Sequence, residues 1–292
     1  MTIENLYPSF NNLNEFEKFQ IIPSKYMHLM SKVPDKIIGF NTNTKVIKGK
    51  KKGFYNGIVM LPPYKTYPYN NICPMAEINK CHGPCLSDAG MGKWDCNKVA
   101  RFRKLALLND HPDIFEKILI KDIETAIRKA KRENLKIAIR LNGTSDLNII
   151  KKFGHIIKQY ENIYWYDYTK VPKYLKLLKR KHNELSNYHL TFSYSKVKEA
   201  QEYLKQAIKT DTNIAMVIKD KSQVENLINN KSKIKLHNKE YNLINGDNDD
   251  LRFLDPKNSI VLLRYKDTRA SKEEIDNFIV DTNNLPMHIQ II

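Results

Sequence analysis

No run of about 18 apolar residues occurs anywhere in the 292-residue chain, so no segment reads as membrane-spanning. The amino-terminal MTIENLYPSFNNLNEFEKF carries early acids and no apolar stretch, so no secretory signal is read there and a cytoplasmic setting is expected. Glycine and proline are few, 10 and 12 residues, and hydrophobic residues make up 41%. That composition excludes collagen-like, low-complexity and disordered classes. Arginine is scarce beside lysine, 9 against 40, and asparagine is abundant. This matches the codon usage of an AT-rich genome, so lysine abundance alone says little about function.

The net charge of +17 is unevenly placed. Residues 1–72 sum to +6, 73–96 to −1, 97–210 to +13 and 211–292 to −1. A uniformly lysine-rich surface would not leave the last segment slightly acidic. A one-sided basic field suits polyanions such as nucleic acid, although solubility alone would also account for it.

The middle of the chain alternates strand-like and helix-like patterns. Lys136–Leu141, Ile163–Tyr168, His189–Tyr194 and Ile214–Ile218 are apolar, rich in β-branched and aromatic residues, and recur at intervals of about 25 residues. Helical patterns over Asp146–Tyr160, Val171–Lys181 and Lys196–Lys209 separate them. Strands joined through helices run parallel. Gly57–Leu61 reads as a first strand. Pro112–Glu133 reads as a long helix with Phe115, Ile118, Leu119, Ile123, Ala126, Ile127 and Ala130 as its buried stripe. Tyr241–Ile244 and Ser259–Arg264 read as two further strands around the polar turn Asn245–Asp250.

The fold expected is therefore α/β: a closed or partial parallel βα barrel over residues 57–292, with a cysteine-rich loop after its first strand. No glycine-rich phosphate fingerprint follows any strand, which argues against a dinucleotide-binding fold. Residues 1–56, with Ile37–Phe40, Lys45–Ile47 and the Gly49–Gly53 turn, read as a small N-terminal β appendage.

All four cysteines fall within 24 residues: Cys73, Cys81, Cys85 and Cys96. Such clustering points to one shared role. Disulfides would need an oxidising compartment. A zinc ribbon shows two close pairs, whereas only Cys81 and Cys85 are close here. An iron–sulfur cluster takes thiolates at irregular spacing, because the ligands wrap a larger object, and is favoured over zinc. The segment starts at the carboxyl end of the first expected strand, where a parallel barrel keeps its chemistry. His82, Gly83 and Pro84 fold the short loop between Cys81 and Cys85 into a turn. His82 is either a ligand, a donor to a sulfur or a solvated side chain.

The run LPPYKTYPYNNICPMAEINKCHGPCLSDAGMGKW resembles the phage "gene product eighty-eight" domain family, whose loop has the form C-x(6–7)-C-x3-C. IAIRLNGTSDLNIIKKFGHIIKQYENIYWYDYTK and LINGDNDDLRFLDPKNSIVLLRYK are similar to two further stretches of that family. The resemblance runs from about Gly57 to Lys266 and implies a bacteriophage or mobile-element origin; it implies no settled reaction. The layout is also similar to the radical S-adenosylmethionine barrel, whose loop reads C-x3-C-x2-C. Here Asp88 stands where its third cysteine would be. If all four cysteines bind, no iron is left open for that chemistry. The expected cofactor is thus a [4Fe–4S] cluster on Cys73, Cys81, Cys85 and Cys96, with zinc as the alternative and S-adenosylmethionine as a cosubstrate whose motif is incomplete; the function expected is a cluster that organises a basic surface for nucleic acid, with a radical or redox enzyme as the alternative.

At the carboxyl ends of the expected strands sit polar residues that could bind a cofactor: Asn142, Ser145, Asp167, Ser193 and Asp247. Thr144, Asp146, Lys170, Ser195, Asp249, Asp250 and Arg252 stand beside them. Helix capping by Ser145 or Asp146, and turn formation over Asp247–Asp250, are the plainer roles. That acidic group lacks the twelve-residue pattern of a calcium loop. Lys173, Lys176 and Arg180 fall on one helix face and are the expected nucleic-acid contacts, extended by Lys51, Lys52, Arg101, Arg103, Lys104, Arg128 and Lys131. Tyr160, Tyr164, Tyr166, Tyr168 and Tyr174 interleave with them, as single-strand binding by base stacking would use. The plainer alternative is a solvated helix face with aromatic packing beneath. No helix-turn-helix, zinc-finger or RNA-recognition signature is present.

Overall fold

The β-branched runs become strands and the 3.6-period stretches become helices in the computed structural model, which describes residues 3–40, 42, 44–266, 268 and 270–292. Three short helices open the chain: α1 (Ile3–Leu6), α2 (Pro8–Asn11) and α3 (Glu15–Ile21). Asn14 caps α3 in a reciprocal box with Glu17, which satisfies the first free backbone N–H groups. Strand β1 (Ile38–Phe40), helix α4 (Thr44–Lys48) and strand β2 (Phe54–Val59) follow. A long connection then leads to the consecutive helices α5 (Asp95–Asp110) and α6 (Pro112–Arg132).

From there strand and helix alternate: β3 (Lys136–Arg140), α7 (Ile149–Gln159), β4 (Ile163–Thr169), α8 (Pro172–Arg180), β5 (Tyr188–Ser193), α9 (Lys198–Lys209), β6 (Ile214–Ile218) and α10 (Lys221–Asn229). The chain closes with the hairpin β7 (Lys233–Leu236) and β8 (Lys239–Asn245), then β9 (Ser259–Arg264), α11 (Lys272–Phe278) and β10 (Ile289–Ile291).

All ten strands form one sheet in the order β1-β2-β3-β4-β5-β6-β9-β8-β7-β10. Neighbours from β2 to β8 are parallel, and the pairs β1–β2, β7–β8 and β7–β10 are antiparallel. Parallel strands in sequence order, joined by right-handed crossovers, place their helices on one face of the sheet. Alternate side chains follow suit. Ile137, Ile139, Trp165 and Tyr188 pack with Leu119, Ile123, Ile156 and Ile157 of the helices, and Phe192, Met216 and Leu262 pack with Leu204 and Val224. On the other face Phe54, Ala138 and Tyr166 pack instead with Leu251 and Phe253 from the segment after β8.

The barrel does not close. Closure would require the terminal parallel strands β2 and β8 to pair with each other, but β1 occupies the free edge of β2 and β7 that of β8. Both occupants are antiparallel, so the product is an open mixed sheet. The expected β appendage is also different: among its described residues only Ile38–Phe40 is a separate strand, and the expected strand Lys45–Ile47 lies in α4. Leu6, Tyr7, Phe10 and Met30 join the same core as α5 and α6, and position 56 falls inside β2. The amino-terminal segment is thus part of the main core. Asp122, on the buried face of α6, accepts the backbone N–H groups of Ile37 and Ile38 at 2.7 and 2.9 Å and so fixes β1 on the sheet edge. No described helix is long and apolar enough to cross a membrane.

Candidate cysteine-loop site

Residues 60–94 leave the carboxyl end of β2 and cross to α5, carrying Cys73, Cys81 and Cys85. Cys96 lies beyond them, exposed in the first turn of α5. The loop is moored to the β3–α7 connection. Gly143 N–H donates to Val59 O at 2.9 Å, and Asp146 N–H to Ile72 O at 3.0 Å. A Cβ at Gly143 would sit 2.5 Å from Val59 O, so a side chain there would push the two segments apart. From α5, Arg101 donates to Gly92 O at 2.7 Å and Ser87 O at 3.2 Å. From α11, Glu274 comes within 3.2 Å of His82 Nε2, and the His82 ring stacks on Tyr64.

Three thiols share this loop at electrostatic range. Burial pushes the Cys73 thiol up to about 12, reinforced by Asp146, Cys85 and Cys81 and opposed by a backbone hydrogen bond at Tyr64. Burial also raises the Cys81 thiol to about 11, with Cys85 and Asp146 adding to it and Lys170 working against it. Their contacts with carbonyls are long, 3.9 Å from Cys73 Sγ to Thr144 O and 3.8 Å from Cys81 Sγ to Ala76 O. Among the described residues no three His, Cys, Asp or Glu side chains are gathered tightly enough to cage a metal ion as they stand. The donor chemistry nevertheless suits a thiolate-bound group. Two of the three thiols on this loop, Cys81 and Cys85, lie near the buried cation Lys170, and among the described residues the buried atoms Asn79 Oδ1, His82 Nδ1, Ser87 Oγ and Arg101 Nε lack hydrogen-bond partners.

Lys170 directly follows β4 and turns its ammonium inward. Nζ donates to Ser195 Oγ at 2.7 Å, Ser193 O at 3.1 Å and Tyr194 O at 3.4 Å, which uses all three of its protons. Burial lowers its pKa, while Cys81, Asp146 and Cys85 hold it up. Asp146 accepts Thr169 Oγ1–H at 2.7 Å and Lys170 N–H at 2.8 Å, and burial raises its carboxyl to about 6. Asp167 accepts Asn142 N–H at 2.6 Å and Tyr188 O–H at 3.0 Å, and burial raises it to about 7.

The sequence-derived site residues therefore divide. Asn142, Ser145 and Asp167 form one buried hydrogen-bonded cluster and Asp146 and Lys170 a second beside it at the carboxyl ends of β3 and β4, with Ser145 Oγ donating to Asn142 Oδ1 at 2.8 Å. Neither Ser145 nor Asp146 caps α7; Asn148 does, accepting Lys151 N–H at 3.0 Å. Ser193 contributes its carbonyl to Lys170. Asp247 is tied elsewhere, paired with Lys45 of α4 at 2.8 Å and accepting Arg264 N–H at 3.1 Å.

A second network was not expected. On the face opposite the helices, Arg140 meets Asp250 at 3.2 Å, Tyr166 O–H donates to Asn56 Oδ1 at 3.0 Å, and the Arg140 guanidinium lies 4.6 Å from the Tyr168 ring centroid. Phe253 packs on Tyr164 and Phe54. The block GDNDDLRFLDP is the signal for this plug, although its residues read more simply as turn formers.

The basic face is smaller than the sequence suggests. Arg101 is buried, and Lys104 donates to Ile37 O, burial lowering it to about 8. Lys52 pairs with Asp249 at 2.7 Å. Tyr166 is wholly buried, Tyr164 packs on Phe253 and Tyr160 joins the core, so these tyrosines are packing residues and not a stacking platform. Lys173, Lys176 and Arg180 are exposed on α8 and make no ion pair among the described residues.

The sequence model of the family described as Gene product 88 matches residues 36–279, from just before β1 to just after α11. The matched span takes in the cysteine loop and the plug over the opposite face. No curated protein and no solved structure matches the chain.

Proposed function

The chain belongs to the Gene product 88 family, and we propose that it is a bacteriophage iron–sulfur protein whose Cys73, Cys81 and Cys85 hold a [4Fe–4S] cluster without a fourth cysteine. The observation that carries this reading is the division of the cysteines. Three thiols on one loop influence one another, two of them beside the interior cation Lys170, while Cys96 is exposed on α5. Such a cluster, when bound, supplies one-electron chemistry and one iron open to a non-protein ligand.

The roles of the chain's own residues follow from this reading. Lys170 and Arg101 offset the negative charge of thiolates, and the Asp146–Thr169 pair orients the Lys170 backbone. The moorings at Gly143 and Asp146 keep the loop at the carboxyl ends of the parallel strands, where open α/β sheets hold their ligands. An open iron favours a redox or radical enzyme over a purely structural cluster. In the radical S-adenosylmethionine reading Cys73 supplies the third thiol from upstream, since Asp88 takes the usual place.

Protein purified without air should be brown, with iron and acid-labile sulfide in near-equal amounts. Colourless protein with one stoichiometric zinc would replace the cluster by a structural zinc site.

Nucleic acid is the second reading, as the partner or substrate of this protein, and it rests on α8. Three exposed cations on one face, without ion-pair partners among the described residues, are suited to contact phosphates.

A further inference from the structure

Helix α11 buries none of its own residues, yet it reaches the cysteine loop. The chain on either side of it is fixed at one place, the carboxyl end of β6. Before α11, Tyr265 N–H donates to Ile218 O at 2.7 Å. After it, Val280 N–H donates to Val217 O at 2.7 Å, and Val280 O accepts Lys219 N–H at 3.1 Å. Ile279 and Val280 are 4% and 1% exposed, so this anchor is a core contact. Between the anchors α11 touches three other segments. Glu274 meets His82 Nε2 at 3.2 Å, and a Cβ at Gly83 would sit 2.5 Å from the same carboxylate. Asn277 O accepts the Lys196 N–H of the β5–α9 connection at 3.0 Å, and the Phe278 ring centroid lies 5.1 Å from Lys170 Nζ. Two of these partners adjoin Cys81. His82 follows it in the chain, and Lys170 is the cation that acts on its thiol.

We propose that α11 is a lid over Cys81, hinged at the β6 anchor. Closed, it shields the thiol and whatever group the thiol holds; open, it admits the small molecules that react at the cysteine loop. The distribution of contacts supports this. A segment whose ends meet while its middle rests on surface contacts opens locally and leaves the core intact. The Glu274–His82 contact is partly exposed, so water replaces it at little cost, whereas the Val280 anchor has no such exchange. What passes the lid rests on the cluster reading; that the lid covers Cys81 rests on these contacts alone.

The lid is tested from its own side, away from the sulfurs. Glu274→Gln removes the charge facing His82 and keeps the α11 cap, since glutamine also serves a capping box. Phe278→Ala removes the ring beside Lys170. Neither residue is buried, so the double variant should fold, as circular dichroism can verify. Full-length protein purified without air is treated with N-ethylmaleimide and a metal chelator, and peptide mass spectrometry reads each cysteine separately. Cys96, exposed on α5, is the internal reference. Cys81 should label faster in the double variant by roughly fivefold or more, as loss of a partly exposed ion pair and a cation–ring contact gives. Cys96 should label at the wild-type rate. An unchanged Cys81 rate, or an equal gain at Cys96, would overturn the proposal. Iron analysis of the same sample keeps the two claims apart: acceleration at Cys81 without iron retains the lid and removes the cluster, and iron without acceleration removes the lid alone.

Discussion

Asp146 and Lys170 are joined by a backbone hydrogen bond and not by a direct ion pair. The Lys170 main-chain N–H donates to Asp146 Oδ2 at 2.8 Å, while its ammonium is held by Ser195 Oγ at 2.7 Å and two carbonyls. The carboxylate fixes where the β4–α8 junction runs, and the junction in turn fixes a positive charge beside the cysteine loop. A direct ion pair would have cancelled that charge. Here it remains to act on Cys81 and Cys85.

That placement gives a prediction for the cluster-loaded protein. Lys170→Met removes a buried cation near the thiolates, so adding an electron to the cluster becomes harder. Its reduction potential should fall by on the order of tens of millivolts, as a charge at this range in a partly shielded interior would give. A redox titration followed by visible absorption reads the shift, and an unchanged potential would place Lys170 outside the cluster's field.

Asp167 provides a test on the fold. Its carboxyl is raised from the ordinary 3.8 to about 7, burial outweighing the hydrogen bonds from Asn142 and Tyr188 and the charge of Arg140. An acid that holds its proton more tightly when folded contributes stability that is complete below its ordinary pKa and lost as pH rises through the folded value. Asp167→Asn abolishes this titration. Its amide oxygen retains the Asn142 N–H bond, and Tyr188 O is able to accept from the new amide. The variant should therefore gain on the wild type by at least about 1 kcal/mol between pH 4 and pH 8 in urea unfolding. A pH-independent difference would show that Asp167 is ionised in the folded state throughout this range.

The basic face on α8 is tested by reversing it. Changing Lys173, Lys176 and Arg180 to Glu leaves the buried Leu175 in place, so α8 should keep its packing. Single- or double-stranded nucleic acid should bind the wild type with an affinity that falls as salt rises. The triple variant should bind at least tenfold more weakly, about 1.4 kcal/mol, with a shallower salt slope. Equal binding would make α8 a solvated surface, and no binding by the wild type at low salt would remove nucleic acid as a partner.

The sequence conveyed the repeating βα part well. Ile214–Ile218 and Ser259–Arg264 are strands at the expected limits, and the other parallel strands shift by only a few residues. Period-two and period-3.6 patterns survive there because each element has one face buried. Closure was not legible, because it turns on which strand occupies each sheet edge, and the edge strands β1 and β10 have three residues each. The cysteine loop was visible from composition alone. Its division was not: Cys96 falls 11 positions after Cys85 in sequence, yet separates from the others because α5 starts between them. The tyrosines misled for a related reason, since alternation along β4 hides which of its two faces is covered. Only the plug carrying Leu251 and Phe253 decides that.

The claim that three cysteines hold the cluster is tested most directly by comparing Cys85→Ala with Cys96→Ala after anaerobic purification. Iron, acid-labile sulfide and the electron paramagnetic resonance of the reduced protein are measured on both. The account predicts that Cys96→Ala keeps wild-type iron, sulfide and spectrum, and that Cys85→Ala loses all three. Loss of the cluster in Cys96→Ala would contradict it, because the fourth iron would then be closed by a thiolate.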